Sequence, residues 1–166
     1  MLRAALVPGV LALLPEYAGI EDPVADLRAT CERAVGWLGA DVTVFASAQG
    51  KRIAEHLLGS GGFETGASAP SSTTVSYLAV ANGSAKRTEK APGHVDDRAL
   101  GFDAALGAAL RAGTLADLDL TLAGELWADT DAIAALAGVL PRGLPATIDL
   151  EADPFGVQYW VARWEW

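Results

Sequence analysis

Three short apolar runs, at residues 2–7, 42–46 and 74–81, alternate with segments of helical periodicity and strongly constrain the fold of this chain. Short continuous apolar runs are typical of strands that are covered on both faces. After the first run, Asp22-Pro23 marks a helix start, and apolar residues then recur on one helical face: Val24, Leu27, Cys31, Ala34, Val35 and Leu38. The alternation predicts a single α/β domain over residues 1–166, with three layers, a mostly parallel central sheet and helices on both faces.

The second half of the chain continues this alternation. Asp96-Asp97 can cap a helix that ends at Gly113, because acidic residues favour helix starts and glycine favours helix ends. Shorter helices are predicted at residues 118–127 and 131–139. A further strand is then predicted at residues 147–150.

The final predicted strand, residues 155–164, is apolar on both of its faces. One face carries Phe155, Val157, Tyr159 and Val161, and the other carries Trp160, Ala162 and Trp164. Such a strand must be covered on both sides, either by the chain's own helices or by a partner. Large aromatic residues are enriched in interface cores, so we predict a homodimer through this strand, with three interface tryptophans: Trp160, Trp164 and Trp166.

The segment 59–72 is rich in glycine, serine, alanine and proline and has no periodic apolar pattern. Such a composition predicts a flexible loop. The run that follows it ends at Asn82-Gly83, which is a strong turn signal.

The charge of the chain is acidic and unevenly distributed. Twelve lysines and arginines stand against 21 aspartates and glutamates, for a net charge of −9, which disfavours nucleic acid and anionic membranes as partners. Residues 84–98, in contrast, hold four basic and three acidic residues. The cluster Lys86-Arg87-Thr88-Glu89-Lys90 in this segment is either an anion site or a solvated loop of mixed charge.

A reducing, cytoplasmic environment is expected, since the single cysteine, Cys31, cannot form an intramolecular disulfide. Arg3 followed by an apolar run could indicate a signal peptide, but Pro8-Gly9 interrupts that run and favours a buried first strand. No apolar stretch approaches the ~20 residues that a membrane span requires.

Several short motifs follow one another along the chain. They are Pro8-Gly9-Val10-Leu11, Asn82-Gly83-Ser84-Ala85, the segment 91–99, Phe102-Asp103 and the segment 153–162. Together they resemble the LigB-type class III extradiol ring-cleavage dioxygenases over most of the chain, which looks like a shortened member of that family.

The resemblance implies that the scaffold is kept while the chemistry is lost. The family's iron-binding Pro-His turn is matched by Pro8-Gly9, its acid/base histidine by Ala85, and the acidic residue beside that histidine by Asn82. Glycine and alanine can neither bind a metal nor transfer a proton through a side chain. We therefore expect a non-catalytic protein without metal or cofactor that binds a small anionic ligand or a partner, through a candidate set of six residues: Glu16, Asn82, Ser84, Lys86, Arg87 and His94.

The alternative is a metal-dependent extradiol dioxygenase, or a related hydrolase, with altered ligands. Fe(II) in such enzymes is held by two histidines and one carboxylate. The chain has only His56 and His94, so a triad would need both, together with one of three acids: Glu16, Glu125 or Glu151. His56 is predicted to be a partly exposed helical residue, whereas His94 could either bind a ligand or cap the adjoining helix.

Other catalytic patterns fit less well. The chain has no phosphate-binding glycine loop, no Cys-x-x-Cys pair and no His-Glu-x-x-His segment. A serine triad built on Ser84 and His94 lacks the Gly-x-Ser-x-Gly elbow that would expose the nucleophile.

Overall fold

The computed structural model describes residues 1–60 and 75–166, in which five strands form one mixed sheet. The strands are β1 (Leu2–Val7), β2 (Val42–Phe45), β3 (Val75–Val80), β4 (Thr147–Ala152) and β5 (Tyr159–Glu165), in the spatial order β2-β3-β1-β5-β4. The predicted α/β class is confirmed, as are the positions of the first three strands to within one residue.

The prediction of a mostly parallel sheet is not confirmed. Strand β3 pairs in parallel with β1 and with β2, whereas β5 pairs antiparallel with β1 and with β4. The short connection between β4 and β5 explains the antiparallel pairing of these two strands, because only residues 153–158 separate them. A parallel pairing would need a crossover of about a dozen residues or more.

Five α-helices connect and cover the strands in the described part of the chain. They are α1 (Ala25–Gly36), α2 (Ala48–Ser60), α3 (Ala99–Ala112), α4 (Leu120–Glu125) and α5 (Asp131–Ala137). Helix α4 starts later than predicted because the Asp119 side chain accepts a hydrogen bond from the Leu122 N–H at 2.9 Å and so caps it. Of the predicted loop at 59–72, the first two residues end α2 and the others lie outside the described residues.

Strand β1 lies at the centre of the sheet and contributes to an apolar cluster on each face. Ala5 and Val7 pack with α1 and α2, while Ala4 and Leu6 pack with residues of α3, α4 and α5. All four are at most 1% exposed. The predicted core position of Cys31 is confirmed, and its burial raises the pKa of the thiol to about 12.

The two apolar faces of β5 are covered within the chain. Trp160 and Trp164 are each 2% exposed and belong to the cluster that contains α3, while Tyr159 and Val161 face the opposite cluster. Trp160 and Trp164 therefore offer no exposed surface to a partner, and homodimerisation stays a prediction without their support. Trp166 is half-buried, with its ring 6.3 Å from that of Tyr77.

Among the helices of residues 1–60 and 75–166, none has the length and apolar character that crossing a lipid bilayer demands.

Glycine at position 113 is required by the backbone that ends α3, so we expect Gly113→Ala to destabilise the protein. Gly113 has a φ of 71°, and a Cβ atom there would lie 2.4 Å from the Leu144 nitrogen. The left-handed conformation and this contact should together lower the free energy of unfolding by about 2 kcal/mol or more. The control is Gly101→Ala in the same helix, where a Cβ meets nothing within 4 Å.

Urea denaturation measures both variants. Gly101→Ala should raise stability by roughly 0.5–1 kcal/mol, because alanine is the better helix former. Equal effects of the two substitutions would contradict the role assigned to Gly113.

Candidate functional site

The carboxyl ends of the three parallel strands meet at one edge of the sheet, which is where open α/β sheets bind ligands. We call this edge, with Gly9 after β1, Ser47 after β2 and Asn82 after β3, the carboxyl edge. It contains the two positions that the family resemblance matched to catalytic segments.

These two positions are in direct contact. The Gly9 N–H donates to the Asn82 side-chain oxygen at 2.8 Å, and the Gln49 amide donates to the Gly9 carbonyl at 2.9 Å. A Cβ on Gly9 would lie 3.2 Å from a Val80 methyl carbon, which is closer than ordinary packing. The Asn82 amide therefore holds the turn after β1 in place, and a Cβ atom at position 9 would require the Val80 side chain to move by a few tenths of an ångström.

A carboxylate that the sequence analysis missed completes the carboxyl edge. Asp129 accepts a hydrogen bond from the Ser47 hydroxyl at 2.9 Å, and its backbone carbonyl accepts one from the Asn82 N–H at 3.0 Å. Burial raises the pKa of Asp129, and the Ser47 hydrogen bond opposes that shift. Ser47 and Asp129 are 82 residues apart, so no local pattern pairs them.

Beyond this edge, Ser84 and Arg87 are bound to a buried carboxylate on α3. Asp103 accepts hydrogen bonds from the Ser84 N–H at 2.7 Å, the Ser84 hydroxyl at 2.8 Å and the Arg87 guanidinium at 2.9 Å. The Asp103 side chain is 1% exposed, and Arg87 also lies 3.4 Å from Asp153. Ser84 and Arg87, both predicted to bind a ligand, therefore anchor the loop after β3 to α3.

The glycine between Asn82 and Ser84 leaves no room for a side chain. A Cβ on Gly83 would lie 2.7 Å from the Asp103 carboxylate and 2.9 Å from the Trp160 ring. The turn signal recognised in the sequence therefore reflects close packing against α3 and β5.

Lys86 and Trp127 form a second cluster, in which the half-buried lysine stands over an exposed indole. The Lys86 ammonium lies 5.0 Å from the Trp127 ring centroid, within cation–π range. Trp127 is 59% exposed, and it is the one non-glycine residue of the described segments with a positive φ, at 57°. Lys86 has no ion-pair partner among the described residues. Since Arg87 is bound to Asp103, Lys86 and Lys90 are the cations of this loop that have no ion pair among the described residues, and Lys86 is the one that stands over an indole.

The acids of the hypothetical metal triad are engaged elsewhere. Glu16 pairs with Arg52 at 3.2 Å, Glu125 pairs with Arg98 at 2.6 Å, and Glu151 pairs with Arg111. Each of the three glutamates is therefore paired with an arginine of its own.

The two histidines lie on different elements. His56 is half-buried on α2, and His94 is exposed in the loop before α3. Across residues 1–60 and 75–166, no three histidine, cysteine, aspartate or glutamate side chains form a group that could hold a metal ion. The structure thus does not bring the predicted triad together.

Comparison of the sequence with protein-family models and with curated proteins finds no match. The resemblance to the extradiol dioxygenases therefore stays a prediction.

Removing the charge of Asp103 should destabilise the protein strongly. Asp103→Asn leaves the Arg87 guanidinium without its buried counter-charge, so we expect the free energy of unfolding to fall by about 2–5 kcal/mol. The control, Asp117→Asn, breaks a surface pair with Arg142 whose side chains are 65% and 80% exposed, and should cost at most about 1 kcal/mol. Similar losses in the two variants would show that Asp103 is not an anchor.

Neutralising Asp129 should stabilise the protein, in contrast to neutralising Asp103. A raised pKa means that the folded state binds the proton more tightly than the unfolded state, so this carboxyl makes folding less favourable as pH rises through its folded pKa. Asp129→Asn should therefore be more stable than the parent protein at pH 7, and this advantage should vanish near pH 3. Thermal unfolding across this range measures the difference, and an unchanged gap between the two pH values would refute it.

Proposed function

We propose that this chain is a non-catalytic, LigB-like binding protein that recognises a small, flat anionic ligand at Lys86 and Trp127. The observation that carries the proposal is the Lys86 ammonium 5.0 Å from an indole that is 59% exposed. The ammonium supplies the positive charge, and the open indole surface supplies a face on which a flat group can stack.

The backbone of Trp127 supports a binding role. A non-glycine residue in the left-handed region costs of order 1–3 kcal/mol, and such residues cluster at binding and catalytic sites. Here the strained backbone carries a large aromatic side chain that remains exposed rather than entering the core. Neither feature favours folding, so both favour an explanation in terms of a ligand.

The charge of the surroundings favours an anion. The chain has a net charge of −9, so most of its surface repels anions. Lys86 and Lys90 lie in the most basic segment, and neither has an ion-pair partner among the described residues.

The residues at the positions matched to the family's catalytic residues support a non-catalytic role. Gly9 and Ala85 provide no side-chain donor, and the Asn82 amide oxygen is occupied by the Gly9 N–H. An imidazole at position 9 would also meet the Val80 methyl carbon at close range.

We propose in addition that the sheet is the middle of three layers. The two apolar clusters, to which alternate residues of β1 contribute, support this arrangement. Homodimerisation and a cytoplasmic location complete the proposal, as expected from the sequence.

Binding of 3,4-dihydroxybenzoate, measured by isothermal titration calorimetry, tests the ligand site. Lys86→Gln should weaken the affinity about five-fold or more, which corresponds to roughly 1 kcal/mol. Lys51→Gln is the control, since Lys51 likewise has no ion-pair partner in the described part of the chain, but is exposed on α2.

Trp127→Gly separates binding from folding. Glycine adopts the left-handed backbone without strain, so this variant should fold and yet lose the ligand. Failure of the parent protein to bind the probe, or undiminished binding by both variants, would overturn the proposal.

Loading with Fe(II) under anaerobic conditions tests the alternative. We expect no stoichiometric iron after desalting and no oxygen uptake with the same probe. One equivalent of iron together with oxygen uptake would establish the metal-dependent alternative instead.

A further inference from the structure

A cleft of about 320 Å³ lies away from the carboxyl edge, beside the end of α1. It is lined by six residues: Thr30, Arg33, Ala34, Trp37, Asp149 and Arg163. Its position near the start of β1 follows from Arg3, which pairs with Glu165 on β5 and reaches Trp37. We call it the Trp37 cleft.

Two arginines are held in fixed positions around the indole of this cleft. The guanidinium carbons of Arg3 and Arg163 lie 4.6 Å and 5.1 Å from the Trp37 ring centroid. Arg3 donates to the Trp37 carbonyl at 2.8 Å, and Arg163 donates through two nitrogens to Asp149 at 2.5 and 2.8 Å. These contacts orient the Arg163 guanidinium, while its Nη1 has no acceptor among the described residues.

Arg33, which also lines the cleft, differs from every other arginine of the described residues. Arg33 forms no ion pair there, whereas each of the others has an acidic partner. Its Nη2 donates to the Thr30 hydroxyl at 2.9 Å, and that hydroxyl donates to the Asp26 carbonyl at 2.7 Å. Thr30 therefore holds one nitrogen of Arg33 and leaves the charge of the guanidinium uncompensated.

We propose that the Trp37 cleft binds the phosphate group of a small phosphomonoester through Arg33 and Arg163. A phosphomonoester carries about −1.5 to −2 charges and three acceptor oxygens at neutral pH, which suits two guanidinium groups. Asp149 already occupies two donors of Arg163, so the ligand would use Nη1 of Arg163 and the free nitrogens of Arg33. The volume lies at the lower end of the range for small-molecule pockets, which limits the ligand to a small one.

This site is independent of the one at Lys86 and Trp127, because the two share no residue. A failed binding test at one site therefore leaves the proposal for the other site standing.

Binding of inorganic phosphate and of phenyl phosphate, followed by phosphorus NMR and calorimetry, tests this site. Arg33→Gln should weaken binding of both probes about ten-fold or more, and Arg163→Lys should weaken it because lysine keeps the charge but loses the fork. Arg142→Gln is the matched control, since Arg142 is 80% exposed and pairs only with Asp117 in the described part of the chain.

The two probes distinguish the source of the phosphate group. Tighter binding of phenyl phosphate indicates that the cleft also accommodates the organic part of a phosphomonoester. Tighter or exclusive binding of inorganic phosphate, equal loss in Arg33→Gln and Arg142→Gln, or no binding of either probe at millimolar concentration would each overturn the proposal.

Discussion

The buried carboxylate of Asp103 is the interaction on which the arrangement of the described loops depends. It accepts three hydrogen bonds from the segment after β3, and it comes from the second turn of α3. Burying an ionised carboxylate is costly unless a counter-charge and hydrogen bonds compensate it, and Arg87 and Ser84 provide both. Because Gly83 fits tightly between Asp103 and Trp160, the same contact fixes α3 relative to β5. Lys86 then emerges from a loop whose base is rigid.

The carboxyl edge shows how polar residues at a ligand-binding position can be used for structure. The Asn82 amide is bound to the turn after β1, Ser47 is bound to Asp129, and Gln49 is bound to Gly9. Each hydrogen bond joins segments that are far apart in sequence. Under the proposed function, recognition has moved from this edge to the outer loop surface at Lys86 and Trp127.

Local signals account for the elements that the sequence predicted well. Gly113 ends α3 with a left-handed backbone, and the alternating apolar residues of β5 face opposite clusters. These features depend on residues within one turn or one strand, which a sequence displays directly. The burial of Trp160 depends instead on α3, which lies about fifty positions earlier in the chain.

The candidate site was harder to predict for the same reason. Ser84 and Arg87 were identified as polar residues of a loop, but their partner Asp103 is fixed by tertiary packing. Asp129 and Trp127 carry no motif, and only the structure shows that one reaches Ser47 and that the other is exposed. The antiparallel pairing of β5 with β1 was also missed, because the apolar faces of β5 look the same in either direction.

The central position of β1 has a consequence for folding. One edge of this strand pairs with β3, while the other pairs with β5, where Arg3 lies opposite a residue 162 positions further along the chain. During synthesis, the second edge of β1 must stay unpaired until β5 has left the ribosome. An apolar strand with a free edge readily joins another chain, so the nascent protein is exposed to intermolecular pairing while the residues between β1 and β5 are translated. Placing the first strand in the middle of the sheet therefore makes completion of the sheet depend on the last strand of the described chain.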